Sequence, residues 1–241
     1  MNASLLRQVL LPLCLAIAVH ADPVPVQNYH APIRVACVGD SITDGFGVGR
    51  DWDYPSQLGR MLGDKQWWVV NFGATGTTVL KNGNDPYWNH GQFQKAHDFN
   101  PDVVIIELGT NDTKAENWAH KDEFATDYKA LIATFQALPS KPIIYLCLQP
   151  PVTSPGNMGI PDTGPSETGP LIQQLATDTS CGLIDLYDAL LPHPDWQPDH
   201  IHPDPTGDFE LAKTVYATLL GKPYDGMMIL TSQAPKPVPF H

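Results

Sequence analysis

Five short apolar runs, rich in β-branched residues and bounded by turn signals, constrain this chain more than any other feature. They are IRVACV (33–38), WWVVNF (67–72), DVVIIEL (102–108), IIYLCL (143–148) and GLIDLY (182–187). They read as strands covered on both faces, the habit of a parallel sheet. Parallel strands need crossover connections, and helical patterns lie between the runs. Residues 122–138 set Phe124, Tyr128, Leu131, Ile132, Phe135 and Leu138 on one helical face. Residues 204–220 do the same with Phe209, Ala212, Val215, Tyr216 and Leu219, behind Asp204 as a cap and Pro205 at the first helical position. The alternation predicts an α/β domain: a doubly wound, three-layer α/β/α sandwich on five parallel strands. A chain of 241 residues, 42% hydrophobic, can bury the core of one such domain.

The flanks read differently. Residues 1–21 resemble a secretory leader: Arg7, a short apolar core over 9–19, then small residues at the −3 and −1 sites before Asp22. That core is shorter than the roughly 20 residues a membrane span requires. The expectation is an exported protein, secreted or periplasmic, with no membrane anchor. Residues 22–32 form a proline-rich lead-in, 33–220 the domain, and 221–241 a tail with no clear period. Cys14 falls in the leader, and Cys37, Cys147 and Cys181 lie in or beside apolar runs. They read as free core residues, with one bridge still open to an exported chain. The formal net charge is −12, from 14 basic and 26 acidic residues, with no basic cluster. Such a surface repels nucleic acid and suits an uncharged partner.

In open α/β sheets, ligands bind outside the carboxyl ends of the strands. Four polar segments fall there or just before the last helix. The first run ends in GDSIT, with Ser41, the second in NFGATG, with Gly76, and the third in GTND, with Asn111. PDHIHP, with Asp199 and His202, precedes the last helical pattern. Ser41 alone admits three readings: a polar turn, part of a phosphate cradle, or a nucleophile. The cradle lacks its Gly-Lys-Ser/Thr or GxGxxG companion. A nucleophilic serine needs a base, which His202 can supply, and a carboxylate on the other ring nitrogen, which Asp199 can supply three residues away. Gly76 N–H, Asn111 and the Ser41 N–H could stabilise an oxyanion. Asp199, His200, His202 and Asp204 could be read as metal ligands, but neighbours in one irregular loop rarely converge on an ion. Asn111-Asp112-Thr113 also matches a glycosylation sequon, here read as coincidental.

Taken together, the four segments, in this order and at these separations, resemble the SGNH hydrolases, also called the GDSL esterase/lipase family, over about residues 33–220. The resemblance implies a flavodoxin-like α/β/α fold and a triad of Ser41, His202 and Asp199. It also implies an oxyanion hole from Ser41, Gly76 and Asn111, with no metal or cofactor. Within that family, the PYW after the second block and GTNDTKAENW at the third resemble carbohydrate esterases that remove acetyl groups from xylan-like polysaccharides. Tyr87, Trp88 and Trp118 are the expected sugar-facing aromatics. The implied substrate is an acylated carbohydrate or other small ester. A broad esterase, thioesterase or lysophospholipase shares the triad, and an inactive glycan-binding scaffold is a more distant alternative. The irregular segment 150–169 is expected to form part of the rim.

Overall fold

A computed structural model describes residues 22–154 and 158–229. The leader expected over 1–21 and the end of the tail lie outside the described residues. The elements in chain order are β1 (Ile33–Gly39), α1 (Ser41–Asp44), α2 (Tyr54–Leu62), β2 (Trp67–Gly73), α3 (Gly91–Asp98), β3 (Val103–Glu107), α4 (Ala115–Trp118), α5 (Lys121–Gln136), β4 (Ile143–Leu148), α6 (Gly164–Thr179), β5 (Gly182–Asp185), α7 (Leu186–Leu190) and α8 (Pro205–Leu220). The five strands form one sheet in the order β2-β1-β3-β4-β5, with every neighbouring pair parallel. This is the flavodoxin-like doubly wound order, whose switch point lies between β1 and β3. The expected three-layer fold is therefore the observed one.

Strand side chains alternate between two hydrophobic cores, one on each face of the sheet. Ala36, Val38, Val104, Ile106, Ile144 and Leu146 face the layer of α3, α5 and α6. Val35, Cys37, Val103, Ile105, Tyr145 and Cys147 face the layer of α2, α7 and α8. Cys37, Cys147 and Cys181 are free thiols, all buried. Among the described residues, no helix is long and apolar enough to cross a membrane.

Three details differ from the sequence reading. First, the fifth strand stops at Asp185 rather than running to 187. The Asp185 carboxylate accepts the Asp188 N–H at 2.9 Å, which caps α7 and ends the extended run. Second, the irregular segment expected over 150–169 gives way to α6 at Gly164, with Pro165 in its first turn and Pro170 inside. Third, the inward face of α8 is rotated by about one position. Asp208, Leu211, Ala212, Val215 and Leu219 are buried, whereas Phe209 and Tyr216 lie edge-on to Tyr224 of the tail. Asp208 turns inward because its Oδ1 accepts the Tyr54 N–H at 3.2 Å.

Two glycines let β1 and β2 close tightly around α1. A Cβ at Gly39 would collide with the Thr43 side chain and the Glu107 carbonyl. One at Gly73 would collide with the backbone of Asp44. The turn that presents Ser41 is thus held directly against the ends of its two neighbouring strands.

Candidate active site

Ser41 is the first residue of α1, immediately beyond β1. Asp40 caps that turn, its Oδ1 accepting the Ile42 N–H at 3.0 Å. The His202 Nε2 lies 2.8 Å from the Ser41 Oγ, and its Nδ1 lies 2.6 Å from the Asp199 Oδ2. With Asp199 accepting, Nδ1 carries the proton, and Nε2 is left to accept from the serine hydroxyl. Asp199 organises its own loop as well, its Oδ1 accepting the N–H groups of Ile201 at 3.0 Å and His202 at 2.7 Å. Burial raises the Asp199 carboxyl, but these hydrogen bonds and the one from the His202 ring outweigh it and hold the group below the usual carboxylate range. The orienting carboxylate therefore stays ionised. Ser41 and His202 are both buried at 6% exposure, so little of the pair is open to solvent.

Three donors face the same end of the sheet. The Ser41 and Gly76 N–H groups make no hydrogen bond within the described chain. Gly76 has φ +85°, which a residue with a Cβ adopts only under strain. The Asn111 amide donates one N–H to the Asp40 Oδ2 at 3.1 Å, which leaves its second N–H uncommitted. Asp112 ties the two donor segments together, its Oδ2 accepting the Val79 N–H at 3.1 Å and its Oδ1 the Leu80 N–H at 2.8 Å. Asn117 adds a second tie, donating to the Asn111 carbonyl at 2.8 Å and the Asn84 side chain at 3.1 Å. A glycan on Asn111 is incompatible with this packing, since the residue is only 3% exposed.

The residues weighed as metal ligands have other employment. Asp204 accepts the Thr206 and Gly207 N–H groups as the cap of α8. His200 lies 3.0 Å from the Thr153 hydroxyl through its Nδ1. That contact joins the 150–163 segment to the histidine loop, as do Val152, Ile160 and Ile201, which form a small apolar cluster of their own.

Of the three aromatics expected to face a sugar, Tyr87 needs correction. Tyr87 is fully buried, and its hydroxyl donates to the Phe72 carbonyl at 2.7 Å, so its ring is not available to a sugar. Trp88 and Trp118 are half-buried, with their indole N–H groups donating to the Val79 carbonyl and to Glu167. Trp118 packs edge-on to Phe124 and Trp88 lies tilted against Phe93. Both bind loops to the body of the domain. Among the described residues, an exposed aromatic beside the Ser41–His202 pair is Phe46, whose ring centroid lies 4.5 Å from that of His202 and which is 44% exposed. The sequence hint was faint: one large apolar residue in an otherwise glycine-rich turn.

The family model for the GDSL-like lipase/acylhydrolase family matches residues 37–208, a span that begins in β1 and ends in α8. This chain belongs to that family. An acetylxylan esterase of Xylanibacter ruminicola is 36% identical over 217 aligned positions, which cover 82% of this chain. The chain spans only 44% of that relative's length. Among solved structures, the acetyl xylan esterase AlAXEase is 24% identical with a TM-score of 0.63, covering 78% of this chain and 100% of that one. A carbohydrate acetylesterase family member from Sinorhizobium meliloti is 21% identical with a TM-score of 0.65, at 78% and 99% coverage. At these identities the two structures speak for the shared fold alone.

Proposed function

We propose that this chain is an exported serine esterase that removes O-acetyl groups from carbohydrate through an acyl-Ser41 intermediate. The observation that carries the reading is the unbroken line from the Ser41 Oγ through the His202 ring to Asp199, at 2.8 and 2.6 Å. His202 Nε2 takes the Ser41 proton as the oxygen attacks the ester carbonyl. Asp199 holds the ring and stabilises the imidazolium that forms. The developing oxyanion lies within reach of the Ser41 N–H, the Gly76 N–H and the free N–H of Asn111, none of which must break an internal bond to donate. His202 then gives its proton to the leaving alcohol. Water repeats the sequence on the acyl-serine and releases acetate.

The choice of carbohydrate is supported by the 36% identity to a protein named as an acetylxylan esterase and by the character of the rim. Phe46 offers one aromatic face beside His202. Near Gly76, the Asp85 carboxylate lies 2.8 Å from the His90 Nε2 and is half-exposed, a polar pair suited to sugar hydroxyls. The acidic surface suits a neutral polymer better than an anionic one. The leader-like residues 1–21 support export.

The test is acetate release from acetylated xylan, alongside hydrolysis of p-nitrophenyl acetate, by the wild-type protein and Ser41→Ala. The wild type should cleave both, and the variant neither, with its thermal midpoint unchanged. Wild-type turnover by Ser41→Ala would end the mechanism. Cleavage of long-chain esters or lysophospholipid in preference to acetyl would favour the broad-esterase reading instead.

A further inference from the structure

We propose that Glu107, at the carboxyl end of β3, is a positioning residue of this site: it holds one proton that it shares with Asp40, and the Asp40 carboxylate in turn fixes the Asn111 amide. The inference rests on the esterase reading, because it assigns Asn111 to the oxyanion. Glu107 and Asp40 are both fully buried. They adjoin at the paired ends of β1 and β3, where the Asp40 N–H donates to the Glu107 carbonyl at 3.3 Å, and each carboxyl acts on the proton affinity of the other. Two adjoining carboxylates, away from water, cannot both stay ionised.

The surrounding donors decide which one keeps the proton. Asp40 accepts two N–H groups, from Ile42 at 3.0 Å and Asn111 at 3.1 Å, and both favour its charged form. Glu107 accepts only the Thr43 hydroxyl, on Oε2 at 3.3 Å, while its Oε1 is buried with no N–H or hydroxyl donor in reach. A proton on Glu107 turns this poorly satisfied carboxylate into a donor and gives the neighbouring Asp40 a third one. Thr43, having given its proton to Glu107, accepts in turn from the Tyr54 hydroxyl at 3.3 Å. The result is one directed chain, Tyr54 to Thr43 to Glu107 to Asp40, which meets the Asn111 donor from the other side.

The groups facing Glu107 agree with this assignment. Asp40 and, from α8, Asp208 act on it as negative charges. Tyr128 of α5 and Cys147 of β4 lie in the same field, and burial drives both away from their ionised forms. Burial, followed by the Asp40 charge, pushes the Glu107 carboxyl well above the usual range. On Asp40, burial is opposed by the Ile42 N–H, then by the charge of His202. The negative charge held on Asp40 therefore also favours the imidazolium that forms as Ser41 attacks.

Infrared difference spectroscopy and kinetics on the full chain test the pair together. The wild type at neutral pH should show protonated carboxylic-acid carbonyl absorption to which Asp208 and Asp112 also contribute, and Glu107→Gln should remove one component of it. Glu107→Gln can still donate to Asp40 and should keep kcat for p-nitrophenyl acetate within about threefold of wild type. Glu107→Leu cannot donate and should lower kcat by at least about tenfold, with KM nearly unchanged, because the oxyanion donor loses its anchor. An unchanged acid band in Glu107→Gln would overturn the proposal whatever Glu107→Leu does. So would wild-type kcat in a folded Glu107→Leu, or a Gln variant as impaired as the Leu one. A wild type inactive on every ester would instead overturn the esterase reading, leaving the infrared band to decide where the proton sits.

Discussion

Phe46 is the residue whose single change should separate binding from chemistry in the proposed reaction. It touches the His202 ring but leaves much of its own surface open, and its one hydrogen bond, from its N–H to the Ser41 carbonyl at 3.0 Å, is made by the backbone and survives a side-chain change. Phe46→Ala should leave kcat for p-nitrophenyl acetate within about twofold and raise KM for an acetylated oligosaccharide by about fivefold to tenfold, the worth of one apolar contact. Equal KM values for the oligosaccharide would show that the ring takes no part in recognition. Single-residue chemistry was unevenly legible in the sequence. Ser41, Asp199 and His202 stood out because reactive residue types fell where an α/β sheet exposes its strand ends. Glu107 was hidden because it sits inside an apolar run and reads as one more strand position. Tyr87 misled because its polar neighbours suggested a surface, while its hydroxyl has a partner in the Phe72 carbonyl.

At the scale of elements, the segments after β2 and β3 behave as one unit because Asp112 bonds two consecutive N–H groups of the first from the start of the second. Asp112→Asn would turn an N–H group toward one of these donors. It should lower stability by about 1–3 kcal/mol and kcat by about tenfold, since Gly76 and Asn111 would no longer be held in register. A lowered thermal midpoint with wild-type kcat would make the tie structural only. The strands were readable from sequence because burial on both faces leaves an uninterrupted apolar signature. α6 was not, since Gly164, Pro165, Gly169 and Pro170 carry the local marks of a loop, and the helix is held by the burial of Ile172, Leu175 and Ala176. The face of α8 was misjudged for a related reason. Phe209 looks like a core residue but is only partly buried and lies against Tyr224, Tyr216 packs at the edge of the core with Tyr224 beside it, and Asp208 takes the inward position through its bond to Tyr54.

The whole molecule carries an unusual load of buried acid. Burial raises Asp53 to about 6 and Asp112 to about 7, and pushes Asp208 and Glu107 well above their usual range. Each of these groups binds a proton in the folded chain at a pH where the unfolded chain, with carboxyls near about 4, has released it. Their contribution to stability is present in full below the unfolded values and is lost as pH rises through the folded ones. For Asp53 and Asp112 that window runs from about pH 4 to 7. Asp199, where hydrogen bonds overcome burial, and Asp102, where Arg34 does, are held low and act in the opposite sense, at more acidic pH. The net charge of −12 adds self-repulsion as pH rises. The thermal midpoint should therefore be higher at pH 5 than at pH 8, and the reverse order in a calorimetric series would refute this account. Finally, Ser41 and His202 stand 161 positions apart in the chain, with four of the five strands between them. During synthesis Ser41 emerges 161 residues ahead of His202. No fragment that stops short of residue 202 carries the pair, so in the proposed mechanism turnover itself reports that all five strands have been made and that the sheet has closed around them.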